Sequence, residues 1–393
     1  MSGEMREFRV DIDYIVKTLK ALIRINSVLP HEQLLAGFIA DELKKMGLRP
    51  QLHETAKDRP NVYANAEFGR GGPFVVLSGH SDTVGTAADW VSDPFQPVTQ
   101  DGRLYGLGAI NMKSGLACCL GVMKSLVEYG NSAGLNGRVG LAVTVDQEGL
   151  SIGAEAMLQT EYAKCDAMLH AEHFFGDSQK DYLPLAGTGK VLYKLTIRGK
   201  SAHAFRPSEG GINAIGDAAS IITALDRLNL RPHELYGRGT YCVLNVSGGP
   251  AQYSMVVPEL CEVTITRLTV PGETRDIAVK DMLDLIDSLN LKSKVTVETP
   301  PPSYDPYQLD TETPFVNIFR DAYQNVVGAA PHFAPHRGIT DANVFAKAGI
   351  PTIVFGPKGA NHHKAGEYVE LASLAPVAQV YVQTINRYLG DGE

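Results

Sequence analysis

The chain has 393 residues, 44% hydrophobic and 20% charged, with 36 basic against 44 acidic side chains and a net charge of −8. That length exceeds one ordinary core and predicts two domains. The acidic balance, with a single Trp, argues against a surface that grips nucleic acid or an anionic membrane.

Residues 11–25, "DIDYIVKTLKALIRI", carry apolar positions at helical spacing, as do residues 32–47, where Gly47 is placed to end the helix. Apolar runs of strand length follow: "NVYANAEF", "FVVLSG" and "VGLAVTV". A long helical segment, "MKSGLACCLGVMKSLVEYG", lies between the last two. Strands alternating with helices predict an α/β domain with a mixed sheet and helices on both faces. Near residue 186 the pattern changes. "VLYKLTIRGKSAHA", a helix near 211–228, "TYCVLNVSGG" and "CEVTITRLTV" read as a smaller α+β unit, and "KVTVETPPPSYDPY" reads as a linker. The α/β pattern then resumes. The expectation is a catalytic domain of residues 1–185 and 299–393 with an inserted domain of residues 186–298.

Five cysteines, Cys118, Cys119, Cys165, Cys242 and Cys261, include no CxxC pair. A disulfide framework is therefore not expected, and a reducing, cytoplasmic setting is. The N-terminal stretch is charged and lacks the apolar core of a signal peptide. The apolar run "LACCLGVM" is too short to span a bilayer.

Several well-known patterns are absent. "HEQLL" and "HELYG" lack the second His of a zincin helix, "AGTGKV" lacks the flanks of a phosphate loop, and "GLGAIN" is not a dinucleotide fingerprint. What remains is a set of acids and imidazoles at strand ends. In "LSGHSDTV", His80 and Asp82 share parity, so a carboxylate there can accept the spare ring N–H of a ligating His. "GLGAINMKSG" reads locally as a helix start capped by Asn111. "TVDQEG" places Asp146, Gln147 and Glu148 after a strand, "LHAEHF" places His170, Glu172 and His173 after another, and "GANHHKAGEYV" offers His362 and His363. Each alone is ordinary polar surface. Five at strand ends of one α/β pattern point to a site, because such folds gather their sites at the carboxyl ends of strands. Imidazoles with carboxylates suit zinc, manganese or cobalt.

On these stretches the chain resembles the co-catalytic metal amidohydrolases and exopeptidases that include acetylornithine deacetylase, succinyl-diaminopimelate desuccinylase, aminoacylase and bacterial glutamate carboxypeptidase. "GHSDTV", "GLGAINMKSG", "VDQEG", "GKSAHAFRPSEGGINAI" and "GITDANVFAKAGIPTIVFGP" followed by "HHKAGEYV" are similar to that family's motifs, in its order. The resemblance implies that His80 and Glu172 hold one metal and Glu148 and His363 the other. It also implies that Asp82 orients His80 and that His203, in a dimerising inserted domain, polarises the substrate carbonyl. His363 rather than His362 keeps the four-residue step to Glu367.

Two departures fall on the chemistry. Asn111 stands at the family's bridging Asp and Gln147 at its general base. An amide oxygen carries no net charge and bridges two cations poorly, so one divalent transition ion per subunit (Mn, Zn or Co) is expected. A positioned base contributes about 10²–10⁴-fold, and Gln147 cannot take a proton. Leu268 and Met255 replace family positions that help hold substrate, which leaves Arg206 and Arg337 as candidates for an anionic group. The expectation is a homodimeric hydrolase of a C–N bond in a small molecule. The most specific form of it is an aminohydrolase of an activated aromatic amine such as 5-nitroanthranilate, the family branch that is a precedent for one metal. The alternatives are an N-acyl amino acid deacylase, a dipeptidase or carboxypeptidase, and a catalytically disabled or purely binding protein.

Overall fold

The computed structural model describes residues 8–390 other than 174, 177–180, 207–209 and 253. It divides into two compact units. The first comprises Met1–Leu185, Leu309–Ala334 and Thr340–Glu393, and the second Ala186–Gln308 with Pro335–Ile339.

The first unit is built on a six-stranded sheet of β1 (Gln51–Ala56), β2 (Arg59–Phe68), β3 (Phe74–His80), β4 (Gly137–Thr144), β5 (Ala167–His170) and β6 (Thr352–Val354), in the order β1-β2-β4-β3-β5-β6. The last four in that order run parallel, and β1 and β2 add an antiparallel edge. Every residue of β3 is buried, as a central parallel strand requires when both faces are covered. Alternate residues face opposite layers. A Cβ on Gly79 would lie 2.5 Å from the Met112 side chain and 2.9 Å from Leu116, so this glycine lets helix α3 (Ser114–Tyr129) approach one face. On the other face Ser78 meets His170, whose ring lies 5.8 Å from Phe345 of the Ala342–Lys347 helix. The helices expected near the N-terminus form as α1 (Ile12–Arg24), capped by Asp11, and α2 (Gln33–Lys45), followed by Gly47 at φ +84°.

A small antiparallel sheet of the first unit matters more to the site than its size suggests. The strand Arg103–Tyr105 pairs with Val98–Gln100 and with Tyr368–Glu370, which in turn pairs with Gly359–Ala360. It ties the 106–113 turn to the 361–367 turn.

In the second unit four antiparallel strands lie in the order Thr240–Gly248, Leu260–Thr269, Gly189–Arg198, Lys294–Glu298. Burial alternates along the two central strands, and the helices Ala214–Ala224 and Arg275–Asp287 pack on the buried face. Lys294–Glu298 corrects the expectation of a linker there: "KVTVE" is a strand whose Val295 and Val297 pack against this core. Among the described residues no helix is long and apolar enough to cross a membrane.

Candidate metal centre

The carboxyl ends of β3, β4 and β5 deliver His80, Asp146 to Glu148, and Glu172 to one edge of the sheet. The 361–367 turn and the 106–113 turn bring His363 and Asn111 to Glu148. Two half-sites result.

In the first, His80 is fully buried, and its Nδ1 lies 3.0 Å from the Asp82 backbone oxygen and 3.4 Å from the Asp82 carboxylate. The ring is therefore held chiefly by a carbonyl. The Asp82 carboxylate has a second task, accepting the backbone N–H of Gln147 at 3.1 Å and of Glu148 at 2.9 Å. His80 Nε2 faces Glu172 Oε2 at 3.4 Å, and neither atom has a hydrogen-bond partner. Glu172 Oε1 pairs with His173 Nδ1 at 2.9 Å. Burial alone would lower the His80 pKa, but the Asp82 charge and then Glu172 raise it well above its ordinary value. Burial would raise the Glu172 pKa, but His173 and His80 pull it well below the carboxylate range.

In the second half-site, Glu148 Oε1 lies 2.8 Å from His363 Nε2 and 2.5 Å from Asn111 Nδ2, with the two nitrogens 2.9 Å apart. The Asn111 Oδ1 is buried with no partner. The local expectation of Asn111 as a helix cap is overturned. Helix α3 begins at Ser114 with no side-chain cap, and Asn111 has an extended backbone, φ −116° and ψ 92°. The Glu367 carboxylate holds that backbone by accepting N–H groups from Gly108 at 2.8 Å and from Ile110 and Asn111 at 3.0 Å. His362 lies beside the half-sites, its ring 4.9 Å from that of His173 and 5.3 Å from that of His363.

Sequence reasoning missed the residues that shape these turns. Arg59, at the start of β2, reaches Glu32 at 2.5 Å and Asp146 Oδ1 at 2.7 Å. Asp146 has φ +71°, a left-handed conformation that costs a non-glycine residue about 1–3 kcal/mol. Its Oδ2 accepts Leu150 N at 2.9 Å, and its carbonyl accepts Ser151 N at 2.7 Å. Lys113 is fully buried, with Nζ donating to the Ile25 carbonyl at 2.8 Å, and burial pulls its pKa down to about 7. No spacing rule identifies the Arg59–Glu32, Arg59–Asp146 and Lys113–Ile25 pairs, because each joins distant segments.

His203, Arg206 and Arg337 lie in the second unit. His203 bridges to Val256 and accepts Phe205 N–H at 3.2 Å on an exposed turn that also carries Arg206. Arg337 donates to the Tyr236 carbonyl at 3.0 Å and lies over its ring. Among the described residues no three His, Cys, Asp or Glu side chains converge as a metal-holding group. Each half-site supplies two, and the amide of Asn111 adjoins the second.

Residues 76–387 match peptidase family M20/M25/M40. The chain belongs to this family. Succinyl-diaminopimelate desuccinylase of Methylorubrum populi is 29% identical over 384 residues, 94% of this chain and 96% of that protein. A tripeptidase from Staphylococcus aureus superposes with a TM-score of 0.77 at 23% identity, over 97% of this chain and 99% of the other. An M20 metallo-carboxypeptidase from Sulfolobus solfataricus does so at 0.75 and 16%, over 95% and 99%. The family resemblance and the α/β fold class read from the sequence are thus borne out. As a member of the M20/M25/M40 family the chain is a metal-dependent hydrolase acting on carbon–nitrogen bonds.

Proposed function

We propose that this M20 chain hydrolyses a C–N bond of a small molecule with one divalent transition ion per subunit, and that its substrate is an activated aromatic amine of the 5-nitroanthranilate type. The observation that carries the one-ion reading is the Asn111 amide, 2.5 Å from Glu148 and 2.9 Å from His363, with a second amide, Gln147, next to Glu148 in the chain. The fit to an ion rests on three buried polar atoms that have no hydrogen-bond partner: His80 Nε2, Glu172 Oε2 and Asn111 Oδ1. Imidazole nitrogen and oxygen donors of this kind suit manganese, zinc or cobalt. Bound there, the ion supplies Lewis acidity.

The protein's own groups do the rest. Gln147 hydrogen-bonds and orients a water but cannot accept its proton. Proton handling passes to Glu172 or to His203, which also polarises the substrate. Asp82 holds both His80 and the Gln147–Glu148 backbone in register. Arg206 and Arg337 are the cations available to a substrate carboxylate. Without a base worth about 10²–10⁴-fold, the favoured substrate is one whose carbon is already electron-poor. A second reading, hydrolysis of an N-acyl amino acid or dipeptide, is favoured by the desuccinylase relatives.

A homodimer, in the cytoplasm, completes the proposal. Its support is the edge strand Thr240–Gly248, where Leu244 is 56% and Val246 49% exposed, an apolar edge of the kind that pairs with another chain. Sedimentation of Leu244→Lys should then give a monomer where the wild type gives a dimer.

The deciding experiment is a screen of nitro-substituted anilines, N-succinyl and N-acetyl amino acids and dipeptides, with manganese, cobalt and zinc added separately. Ammonia release from the electron-poor anilines supports the first reading. Turnover confined to the amides selects the second. A large gain on amides only after Asn111→Asp with Gln147→Glu would instead mark a disabled peptidase.

A further inference from the structure

On the one-ion reading above, we infer that the Asn111 amide replaces the second cation. Its NH₂ ties Glu148 to His363, and its carbonyl oxygen, with His80 and Glu172, is left to hold the single ion.

The partners decide which way the amide faces. A carboxylate oxygen only accepts, so the atom 2.5 Å from Glu148 Oε1 is the donor nitrogen. Its opposite end, Oδ1, is then the bare buried acceptor. An aspartate at this position would present an oxygen to each side. An amide has one accepting and one donating end, so it can complete only one half-site. The donating end already fills the other. A cation bound to Glu148 and His363 would sit about 2.0–2.2 Å from each, in the space that Nδ2 occupies at 2.5 and 2.9 Å from them. Nor can the amide simply turn over, because Oδ1 would then face the Glu148 carboxylate. Glu367 fixes the backbone that carries the amide. The two half-sites thus differ in what they lack. His80 Nε2 and Glu172 Oε2 have no hydrogen-bond partner, whereas Glu148 Oε1 and His363 Nε2 both lie within hydrogen-bond reach of the amide nitrogen.

The test is metal content and manganese EPR on the full chain, loaded with excess Mn²⁺ and desalted. The wild type should keep one ion with an uncoupled manganese signal. His363→Ala should still keep one. His80→Ala and the shape-conserving Glu172→Gln should keep none while retaining the wild-type circular dichroism. Asn111→Asp should take up a second ion, with the exchange-coupled signal of a pair. One ion that survives His80→Ala and Glu172→Gln but is lost from His363→Ala would overturn this inference and leave the one-ion reading standing. Two retained ions in the wild type would overturn both, as would none.

Discussion

Each unit buries a cluster of charges, and the two are finished differently. In the second unit Arg267 is fully buried, and its guanidinium donates to Glu273 at 2.8 Å and to Asp281 and the Asn229 carbonyl at 3.1 Å. Arg231 adds a bond to Asp281 at 3.1 Å, and Glu273 also accepts backbone N–H groups from Arg231 and Val270. Only Arg267 Nε is left over. In the first unit His80, Glu172 and Asn111 each keep a buried polar atom without a hydrogen-bond partner. Desolvating a charge costs several kcal/mol, which only good partners offset. The closed cluster has its partners inside the fold, so its work is to hold the fold. The open cluster keeps polar atoms in reserve, as a site must that completes itself with a ligand.

That contrast can be broken most forcefully at Arg267. Arg267→Met leaves Glu273 buried without its cation and Asp281 with Arg231 alone, and should cost about 3–5 kcal/mol of stability, read as a lower unfolding midpoint in denaturant. Chains that remain folded should keep the wild-type metal content. Glu172→Gln should do the reverse, losing the ion while the metal-free protein unfolds near the wild-type midpoint. If Glu172→Gln destabilised the metal-free chain as much as Arg267→Met, the two clusters would be alike and the distinction would fail.

A smaller effect is expected one layer out, at Arg59. This side chain touches none of the half-site residues. It acts through Asp146, whose left-handed turn carries Gln147 and Glu148. Arg59→Gln should lower metal affinity or activity by about 10–100-fold, the usual cost of losing a group that orients a ligand. Arg59→Lys should recover part of it through one of the two ion pairs. Competition with a chelator measures the first quantity directly. A loss of stability with unchanged metal affinity and kcat would make Arg59 a structural ion pair like Arg267.

The same contrast explains what the sequence made legible. His80, Glu148, Glu172 and His363 sit in short motifs just after apolar strands or beside a fixed spacing to Glu367; local pattern placed them among the strand-end candidates, and the family resemblance singled them out as ligands. Asn111 was also selected, but its local context suggests a helix cap. Its actual partners lie 37 and 252 residues away, and only the fold brings them together. Arg59, Glu32 and Asp146 form ion pairs between a strand start, a helix start and a turn, where charged residues are usually solvent-exposed. "KVTVE" was obscured by the prolines that follow it, although its Val-Thr-Val alternation is the strand signal itself.

The smallest effect concerns Asp341, a buried carboxyl of the first unit that belongs to neither cluster. Its Oδ2 accepts the Thr144 hydroxyl at 2.8 Å and its Oδ1 has no partner. Burial, with the nearby Asp82 charge adding to it, pushes its pKa from an ordinary 3.8 up to about 7. The folded chain therefore binds this proton more tightly than the unfolded chain. The stability that Asp341 contributes is fully present below about pH 4 and is lost as the pH rises through about 7. Asp341→Asn keeps the shape and an acceptor for Thr144 while removing the titration. In metal-free protein the variant should gain on the wild type steadily between these limits and hold a constant lead above them. A stability difference that does not change with pH would mean that Asp341 is ionised throughout, and that the open cluster sits beside one more negative charge than burial alone would permit.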